Sequence, residues 1–343
     1  MTDPSSAGPT PPTSPTPPAP PAPPGPPAAD AHAAITRLRA EVAKVIVGQE
    51  GTVSGIVVAL LVRGHVLLEG VPGTAKTLLV KTVAAALDLE TRRVQFTPDL
   101  MPSDLTGLVV YRQADATFMF RQGPVFTNLL LADEVNRTPP KTQAALLEAM
   151  EERQVSVEGT THLLPDPFLV IATQNPVEYE GTYPLPEAQL DRFLFKLDVG
   201  YPSASEELDV LSRHDRGLDP HDIVGAGVRP VASAADLALA RAAVDRLRAE
   251  QPVLEYIVSV VRATRESPSL SLGVSPRGAT ALLHAAKAWA WLSGRDYVTP
   301  DEVKAVAKPT LRHRLMVRPE LELEGVTPDG VLDGVLATVP VPR

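Results

Sequence analysis

The chain has 343 residues, enough for two domains that each bury a hydrophobic core. It has no cysteine, which excludes disulfides and thiolate metal sites and is compatible with a reducing cytoplasm. A net charge of −9 provides no global basic field to attract nucleic acid or anionic lipid. The longest apolar run, residues 56–62, is too short to cross a bilayer, and no secretory signal is recognisable. We therefore expect a cytoplasmic protein without membrane insertion and without a nucleic-acid partner.

The amino-terminal segment is rich in proline. The first 28 residues hold 13 of the 36 prolines, mixed with Ser, Thr, Ala and Gly. Because proline fixes φ and lacks an amide donor, residues 1–29 are predicted to form a disordered tail with polyproline character. A PxxP-type docking role is the alternative to a plain solvated tether. Order is expected to begin near Asp30, since residues 31–45 carry apolar side chains at helical spacing.

Residues 30–200 alternate between strand-like and helix-like segments, which predicts an α/β domain around a parallel sheet. Strands are predicted over residues 65–69, 92–96, 128–134 and 168–173, and a helix over residues 77–87. Two hairpins are predicted, over residues 108–121 and 153–164, and the first should interrupt the second core helix as an insertion.

Residues 201–343 are predicted to form a separate helical domain. Helical patterns cover residues 234–250, 253–266, 275–292 and 300–307. Thr299, Pro300 and Glu302 combine an N-cap, a first-turn proline and a capping-box glutamate. Trp289 and Trp291 lie in an apolar helical stretch and are expected in the core or at a domain interface.

A phosphate-binding loop is predicted where residues 70–77 read Gly-Val-Pro-Gly-Thr-Ala-Lys-Thr between a strand and a helix. The expected nucleotide contacts are Gly70, Val71, Pro72, Gly73, Thr74, Ala75, Lys76, Thr77 and Leu78. Small residues let backbone amides surround phosphates, Lys76 adds positive charge, and Thr77 offers a hydroxyl to Mg²⁺. The usual pattern has glycine where Ala75 stands, and alanine is costly there only if the position needs a positive φ. The alternative is an ordinary glycine-containing turn.

Two carboxylates end the apolar run of residues 128–134, as in a buried parallel strand whose charges emerge at the carboxyl edge of a sheet. Asp133 is predicted to hold Mg²⁺, and Glu134 to orient and deprotonate a water molecule. Alone, the pair could equally be solvated charges where a core strand reaches the surface. Together with the phosphate loop, it predicts ATP hydrolysis.

The motifs of residues 35–320 resemble, in order, those of the MoxR family of AAA+ ATPases. They are residues 46–50 (Ile-Val-Gly-Gln-Glu), 70–77, 131–137 (Leu-Ala-Asp-Glu-Val-Asn-Arg), 172–176 (Ala-Thr-Gln-Asn-Pro), 183–193, 273–277, 294–300 and 311–315. The resemblance implies a P-loop NTPase with a parallel-sheet core over residues 30–200 and a carboxyl-terminal helical lid over residues 201–343. An alanine before the P-loop lysine is common in that family.

The resemblance also implies roles for matching residues. Asn175 resembles the first sensor, an amide that contacts the γ-phosphate and water, and Val47 with Gly48 resembles the linker over the adenine. Arg192 resembles the arginine finger that reaches nucleotide on a neighbouring subunit, although an ion pair with Asp191 or Glu187 is an alternative. Arg277 resembles the second sensor, with Ser275 and Pro276 starting its helix, so its side chain would reach a phosphate from the lid. A surface arginine is the alternative.

Further contacts remain open at the sequence level. Arg137 is a second candidate for an intersubunit contact. In related proteins such hairpin insertions face a central pore, so Tyr111, Phe118, Met119 and Phe120 are candidates for client contact. The alternative is that these side chains pack the hairpin onto the core.

By resemblance, the chain is expected to use ATP and Mg²⁺ in a homo-oligomeric, hexameric ring that remodels or matures partner proteins. A separate partner with a von Willebrand factor A domain is implied. Three rivals are a nucleic-acid motor, a switch that binds ATP without hydrolysing it, and a magnesium-chelatase motor subunit. The first lacks support because there is no Gly-Ala-Phe-Thr-Gly-Ala loop and no basic stripe. Glu134 and Arg192 argue against the second.

Overall fold

The computed structural model describes residues 26–71, 73–114, 116–175, 181–219 and 222–342. The strands, in chain order, are β1 (Val66–Glu69), β2 (Thr91–Gln95), β3 (Gly107–Arg112), β4 (Thr117–Gln122), β5 (Leu129–Asp133), β6 (Gln154–Val157), β7 (Thr160–Leu163), β8 (Leu169–Gln174), β9 (Phe195–Asp198), β10 (Leu270–Leu272) and β11 (Met316–Val317). The helices are α1 (Pro26–Ala43), α2 (Glu50–Leu61), α3 (Lys76–Ala86), α4 (Pro102–Thr106), α5 (Pro140–Glu152), α6 (Glu187–Leu190), α7 (Ala204–Asp215), α8 (Ala234–Arg246), α9 (Gln251–Glu266), α10 (Pro276–Leu292), α11 (Pro300–Leu311), α12 (Pro319–Leu323) and α13 (Pro328–Thr338).

The central sheet has five parallel strands in the order β2-β5-β8-β1-β9. The inner strands are apolar and buried on both faces, as the run Leu129–Asp133 illustrates with four buried residues before the half-buried aspartate. The predicted α/β fold with a parallel sheet is therefore confirmed. All five strands point the same way, so the residues that follow β1, β5 and β8 meet at one edge.

Both predicted hairpins form, as the antiparallel pairs β3–β4 and β6–β7. The first does not divide a helix, however. It follows the five-residue helix α4, and β4 leads through a turn into β5. Tyr111 and Phe118 form an exposed pair with ring centroids 5.1 Å apart, whereas Phe120 is half-buried and stacks on His162 of β7 at 4.0 Å. Phe120 thus joins the two hairpins and is a poor candidate for client contact.

Helix α1 begins at Pro26 rather than near Asp30. Its side chains Ile35, Leu38 and Val42 are buried at helical spacing, which anchors the helix to the core. The predicted disordered tail therefore overlaps this helix by residues 26–29. The remainder of that tail, residues 1–25, lies outside the described residues.

The carboxyl-terminal helices pack on the sheet domain, and the buried side chains of the two regions form one continuous cluster. Helix α2 explains why: ten of its twelve residues are buried, so it needs apolar cover on every side. It packs against β1 and β9 on one side and against α8 and α10 on the other. Helix α8 is tied in further, since Arg241 donates from Nε to the Leu60 carbonyl at 2.9 Å. Trp291 is buried in the same cluster and Trp289 packs against it, as expected.

Two helix ends differ from the predictions. Helix α8 ends at Arg246 instead of residue 250, and α11 continues through Pro309 to Leu311 because Thr310 and Leu311 are buried and hold the last turn on the core. Helix α7 was not predicted. Within the described ranges, no helix combines the length and apolar character required to cross a membrane.

Candidate nucleotide site

The loop after β1 has the backbone geometry of a phosphate cradle. A Cβ at Gly70 would lie 2.2 Å from the Val199 carbonyl oxygen, so only glycine fits between β1 and the end of β9. Gly73 has φ +86° and Ala75 has φ +57°. Ala75 therefore does occupy the left-handed region, at a cost of roughly 1 kcal/mol relative to a relaxed alanine. Pro72 lies outside the described residues.

Lys76 begins α3 and folds back over this loop. Its Nζ donates to the carbonyl oxygens of Gly70 at 2.5 Å and Val71 at 2.9 Å. Burial lowers the pKa of Lys76, while the charges of Asp133 and Glu134 act in the opposite direction. The ammonium group thus lies at the mouth of the cradle, beside the N-terminus of a helix whose dipole also favours an anion. Thr77 and Leu78 follow in the first turn and are half-buried.

Asp133 ends β5 and is held from two sides. Its Oδ1 accepts a hydrogen bond of 2.5 Å from the Thr173 hydroxyl, and its Oδ2 accepts one of 2.6 Å from Nη2 of Arg93. The carboxylate of Asp133 and the hydroxyl of Thr77 are oxygen donors, the ligand type that Mg²⁺ prefers. The donor set therefore fits the predicted magnesium site.

Glu134 follows with φ +57°, so a second residue of the site has a left-handed backbone. Its amide donates to the Thr173 hydroxyl at 2.9 Å. Its carboxylate accepts from Gln95 Nε2 at 2.8 Å and pairs with Arg137 Nε at 3.3 Å. Arg137, the second candidate for an intersubunit contact, thus contacts the acid of its own subunit here.

Asn175 is placed next to this acidic pair by strand register. It follows β8, whose last residue, Gln174, is in register with Glu69. The Gly70 amide donates to the Gln174 carbonyl at 3.3 Å, which links the end of β8 to the phosphate loop. Asn175 itself is buried, with 7% of its surface exposed. The P-loop, the acidic pair and this amide therefore meet at one sheet edge.

A cavity of about 260 Å³ adjoins the loop. The predicted residues Val47, Gly48, Gly73, Thr74, Ala75 and Leu78 line it. Gln49 Nε2 donates to the Thr74 carbonyl at 2.8 Å and so connects the predicted adenine linker to the phosphate loop. The cavity is also lined by residues that were not predicted from the sequence: Tyr201, Pro202, Val210, Arg213, His214 and Leu218. The Ser203–Glu206 capping box, which starts α7, was the signal that could have located them.

Arg192 and Arg277 lie together in a different cleft, of about 250 Å³. Both bind Glu151 of α5: Arg192 Nε at 2.7 Å and Arg277 Nη1 at 3.2 Å. Asp191, one of the alternative partners of Arg192, is instead paired with Arg314 at 2.6 Å.

Arg277 occupies the expected first turn of α10, where Ser275 accepts from the Gly278 amide at 3.2 Å. It lines the cleft of Arg192 and is not among the residues that line the cavity beside the phosphate loop. The start of α10 is tied to Asp191 through the Ser275 hydroxyl at 3.2 Å, which places Arg277 beside Arg192.

Comparison with known proteins agrees with this geometry. Residues 65–195 match the model of an ATPase family associated with various cellular activities (AAA), and residues 262–334 match an AAA lid domain. The chain is 49% identical over 313 residues to Bacillus subtilis YeaC, covering 91% of this chain and 96% of that protein.

Chaperone MoxR1 of Mycobacterium tuberculosis is 44% identical over 324 residues, or 92% of this chain and 84% of that protein. A crystal structure described as a candidate ATPase from Cytophaga hutchinsonii has a TM-score of 0.85 and 41% identity, covering 92% of this chain and 97% of that one. With a P-loop, an acidic strand end and a helical lid in one fold, the chain belongs to the MoxR family of chaperone-like AAA+ ATPases.

Proposed function

We propose that this chain hydrolyses ATP in a homo-oligomeric ring, where each site is completed by arginines from the neighbouring subunit. The observation that carries the proposal is that one subunit carries two half-sites in separate clefts. Lys76, Asp133 and Glu134 gather at the phosphate loop, while Arg192 and Arg277 lie together in another cleft. A subunit that carries the phosphate cradle and the two arginines in separate places can bind ATP itself and offer its arginines to the ATP of a second copy.

Within one subunit, Lys76 would bind the β- and γ-phosphate oxygens, and Glu134 would accept a proton from the attacking water. Gln95 would keep the Glu134 carboxylate oriented, since it already donates to it at 2.8 Å. Asn175 would orient the water and the γ-phosphate from the adjoining strand end. A bound magnesium ion would add positive charge at the phosphates, with Thr77 and Asp133 as the side chains that hold it.

The neighbouring subunit would supply Arg192 and Arg277 to the same γ-phosphate. Two guanidinium groups offset the charge that spreads over the equatorial oxygens in the transition state. Because they act across an interface, turnover depends on assembly. A hexamer is the ring size that the family suggests.

The output we propose is remodelling of a partner protein, with a separate von Willebrand factor A-domain protein as the adaptor. The first hairpin supports this proposal, because 53% of the surface of Tyr111 and 73% of that of Phe118 are exposed there. Aromatic side chains paired on an exposed hairpin tip are suited to grip an extended segment of a client.

The decisive experiment measures ATP turnover per subunit against protein concentration for the chain and three variants. We expect turnover to rise with assembly, and Glu134→Gln and Arg192→Ala to lose at least about a hundredfold while still binding ATP. The control Arg262→Ala removes a guanidinium from the exposed face of α9, where its side chain is 68% exposed, and should leave turnover unchanged.

Turnover that is independent of concentration and survives Arg192→Ala would disprove the intersubunit mechanism. Turnover that appears only with added DNA would instead favour a nucleic-acid motor. An assembled protein that binds ATP and never hydrolyses it would favour the switch.

A further inference from the structure

Glu151 joins two arginines that come from distant parts of the chain. Its Oε2 accepts from Nε of Arg192, 41 residues away, and its Oε1 accepts from Nη1 of Arg277, 126 residues away. Each carboxylate oxygen therefore serves a different guanidinium. Glu151 lies in the last turn of α5, which belongs to neither of the segments that carry the arginines.

The backbones of the two arginines are already tied together by another acid. Asp191, next to Arg192, accepts from the buried Arg314 at 2.6 Å and from the Ser275 hydroxyl at 3.2 Å. Ser275 is the N-cap of the helix whose first turn carries Arg277. The Asp191 carboxylate is thus bonded to Arg314 and Ser275, whereas the Glu151 carboxylate is bonded to the guanidinium groups of Arg192 and Arg277.

Charge explains why such a carboxylate is needed. Two guanidinium groups in one cleft repel each other, and each arginine side chain loses up to roughly 2 kcal/mol of rotamer entropy when it is fixed. Burial raises the pKa of Glu151, but the hydrogen bond from Arg192 and the charges of Arg277 and Arg192 outweigh it, so the net pKa is lowered. Glu151 is consequently ionised at neutral pH and attracts both heads.

We propose that Glu151 is a positioning residue that holds Arg192 and Arg277 as a pair, ready for the γ-phosphate of ATP bound to the neighbouring subunit. This inference rests on the proposed function, because it requires that the arginines act between subunits. Glu151 itself does not touch ATP in this arrangement. It acts in the subunit that supplies the arginines, so its effect is separable from the nucleotide site of the same chain.

An experiment that mixes variants of the 343-residue chain tests whether Glu151 acts in the subunit that supplies the arginines. Arg192→Ala subunits retain a phosphate loop and base but offer no finger, so they serve as acceptors. Glu134→Gln subunits retain the arginines but lack the base, so they serve as donors. Neither turns over ATP alone, and mixed rings should regain turnover at acceptor sites that face a donor.

The informative donors carry a second change. We expect the donor that carries both Glu134→Gln and Glu151→Gln to restore a maximal turnover at least about fivefold lower than the Glu134→Gln donor restores. The ATP concentration that gives the half-maximal rate should change less than twofold. The matched donor carries Glu134→Gln with Glu152→Gln, which alters the adjacent exposed acid that does not line the cleft, and it should restore full turnover. Thermal melting and ring size are compared for all donors, because Glu151→Gln keeps the side-chain shape.

The outcomes separate the two proposals. No restoration by the Glu134→Gln donor overturns the intersubunit mechanism and the role of Glu151 with it. Restoration that is equal for the Glu151→Gln and Glu152→Gln donors overturns only the positioning role. If the Glu151→Gln donor melts earlier or fails to assemble, a purely structural role replaces the positioning role.

Discussion

The Thr173 hydroxyl donates a hydrogen bond of 2.5 Å to Oδ1 of Asp133, across the boundary between two neighbouring strands. The same hydroxyl accepts the amide of Glu134 at 2.9 Å. One buried threonine therefore fixes both members of the acidic pair, including the residue with the left-handed backbone.

Thr173→Val should reduce ATP turnover about tenfold while ATP binding changes less than twofold. Valine keeps the shape but leaves a buried amide without its acceptor, a loss of about 1–3 kcal/mol that acts on the orientation of Glu134. Turnover and nucleotide binding measured side by side check this. Thr161→Val, at an exposed position of β7, is the control and should match the parent chain. Normal turnover in Thr173→Val would show that the hydroxyl has no part in orienting the acids.

Gly48→Ala should weaken ATP binding by about tenfold. Gly48 has φ +74°, and a Cβ there would lie 2.5 Å from the Glu206 carboxylate, so alanine adds backbone strain and displaces the carboxylate that caps α7 beside the cavity. Titration with a fluorescent ATP analogue measures the change. Gly51→Ala is the matched control, because a Cβ at Gly51 would meet no atom within 4 Å and the position is helical. That control should bind ATP normally and gain about 0.5–1 kcal/mol of stability.

Acid should destabilise the fold through His65. Its Nε2 lies 3.1 Å from the Met150 carbonyl and its Nδ1 accepts the Val170 amide at 3.0 Å, so the neutral ring satisfies both partners. Burial lowers the pKa of His65 from 6.5 to about 4. The unfolded chain thus binds a proton near pH 6.5 that the folded chain accepts only near pH 4.

The free energy of unfolding should consequently fall by about 2 kcal/mol between pH 7.5 and pH 5 from this group alone. Urea titrations at the two pH values measure the difference. His65→Gln should be less stable at pH 7.5 but lose about 2 kcal/mol less on acidification. An equal loss in both proteins would assign the acid sensitivity to other groups.

Arg241→Ala should lower the free energy of unfolding by about 3 kcal/mol. Arg241 is buried, donates to the Leu60 carbonyl at 2.9 Å and pairs with Asp166 at 2.7 Å, so its removal leaves a buried carbonyl and a cavity. Arg246→Ala, at an exposed position of the same helix, should change stability by less than about 0.5 kcal/mol. A small effect of Arg241→Ala would mean that α8 is only loosely docked on α2.

The parallel sheet was predictable because its inner strands are contiguous apolar runs that alternate with helical segments, whereas the strand order β2-β5-β8-β1-β9 was not predicted. The position of the phosphate loop was predictable because its glycines and Lys76 are close together in the chain, whereas the left-handed backbone of Ala75 became visible only in the fold. Helix α7 and its cavity wall were missed because none of its side chains is buried and its composition is largely polar, so no apolar run marks it in the sequence. That the carboxyl-terminal helices share a buried cluster with the sheet domain was not predicted, because α2, with ten of its twelve residues buried, indicates that it needs apolar cover but not which helices provide it.

By itself the sequence predicted the candidate nucleotide half-site: a cradle from Gly70 to Thr77, and acids at Asp133 and Glu134, each a local pattern in which neighbours in the chain are neighbours in space. Only the tertiary structure decided what Arg192 and Arg277 can reach. Their positions depend on how α5, α6 and α10 pack, and helix packing brings together side chains separated by 41 and 126 residues around one carboxylate, Glu151. Long-range packing of this kind leaves no periodic trace in the chain, so the arginine pair and its acid became visible only in the fold.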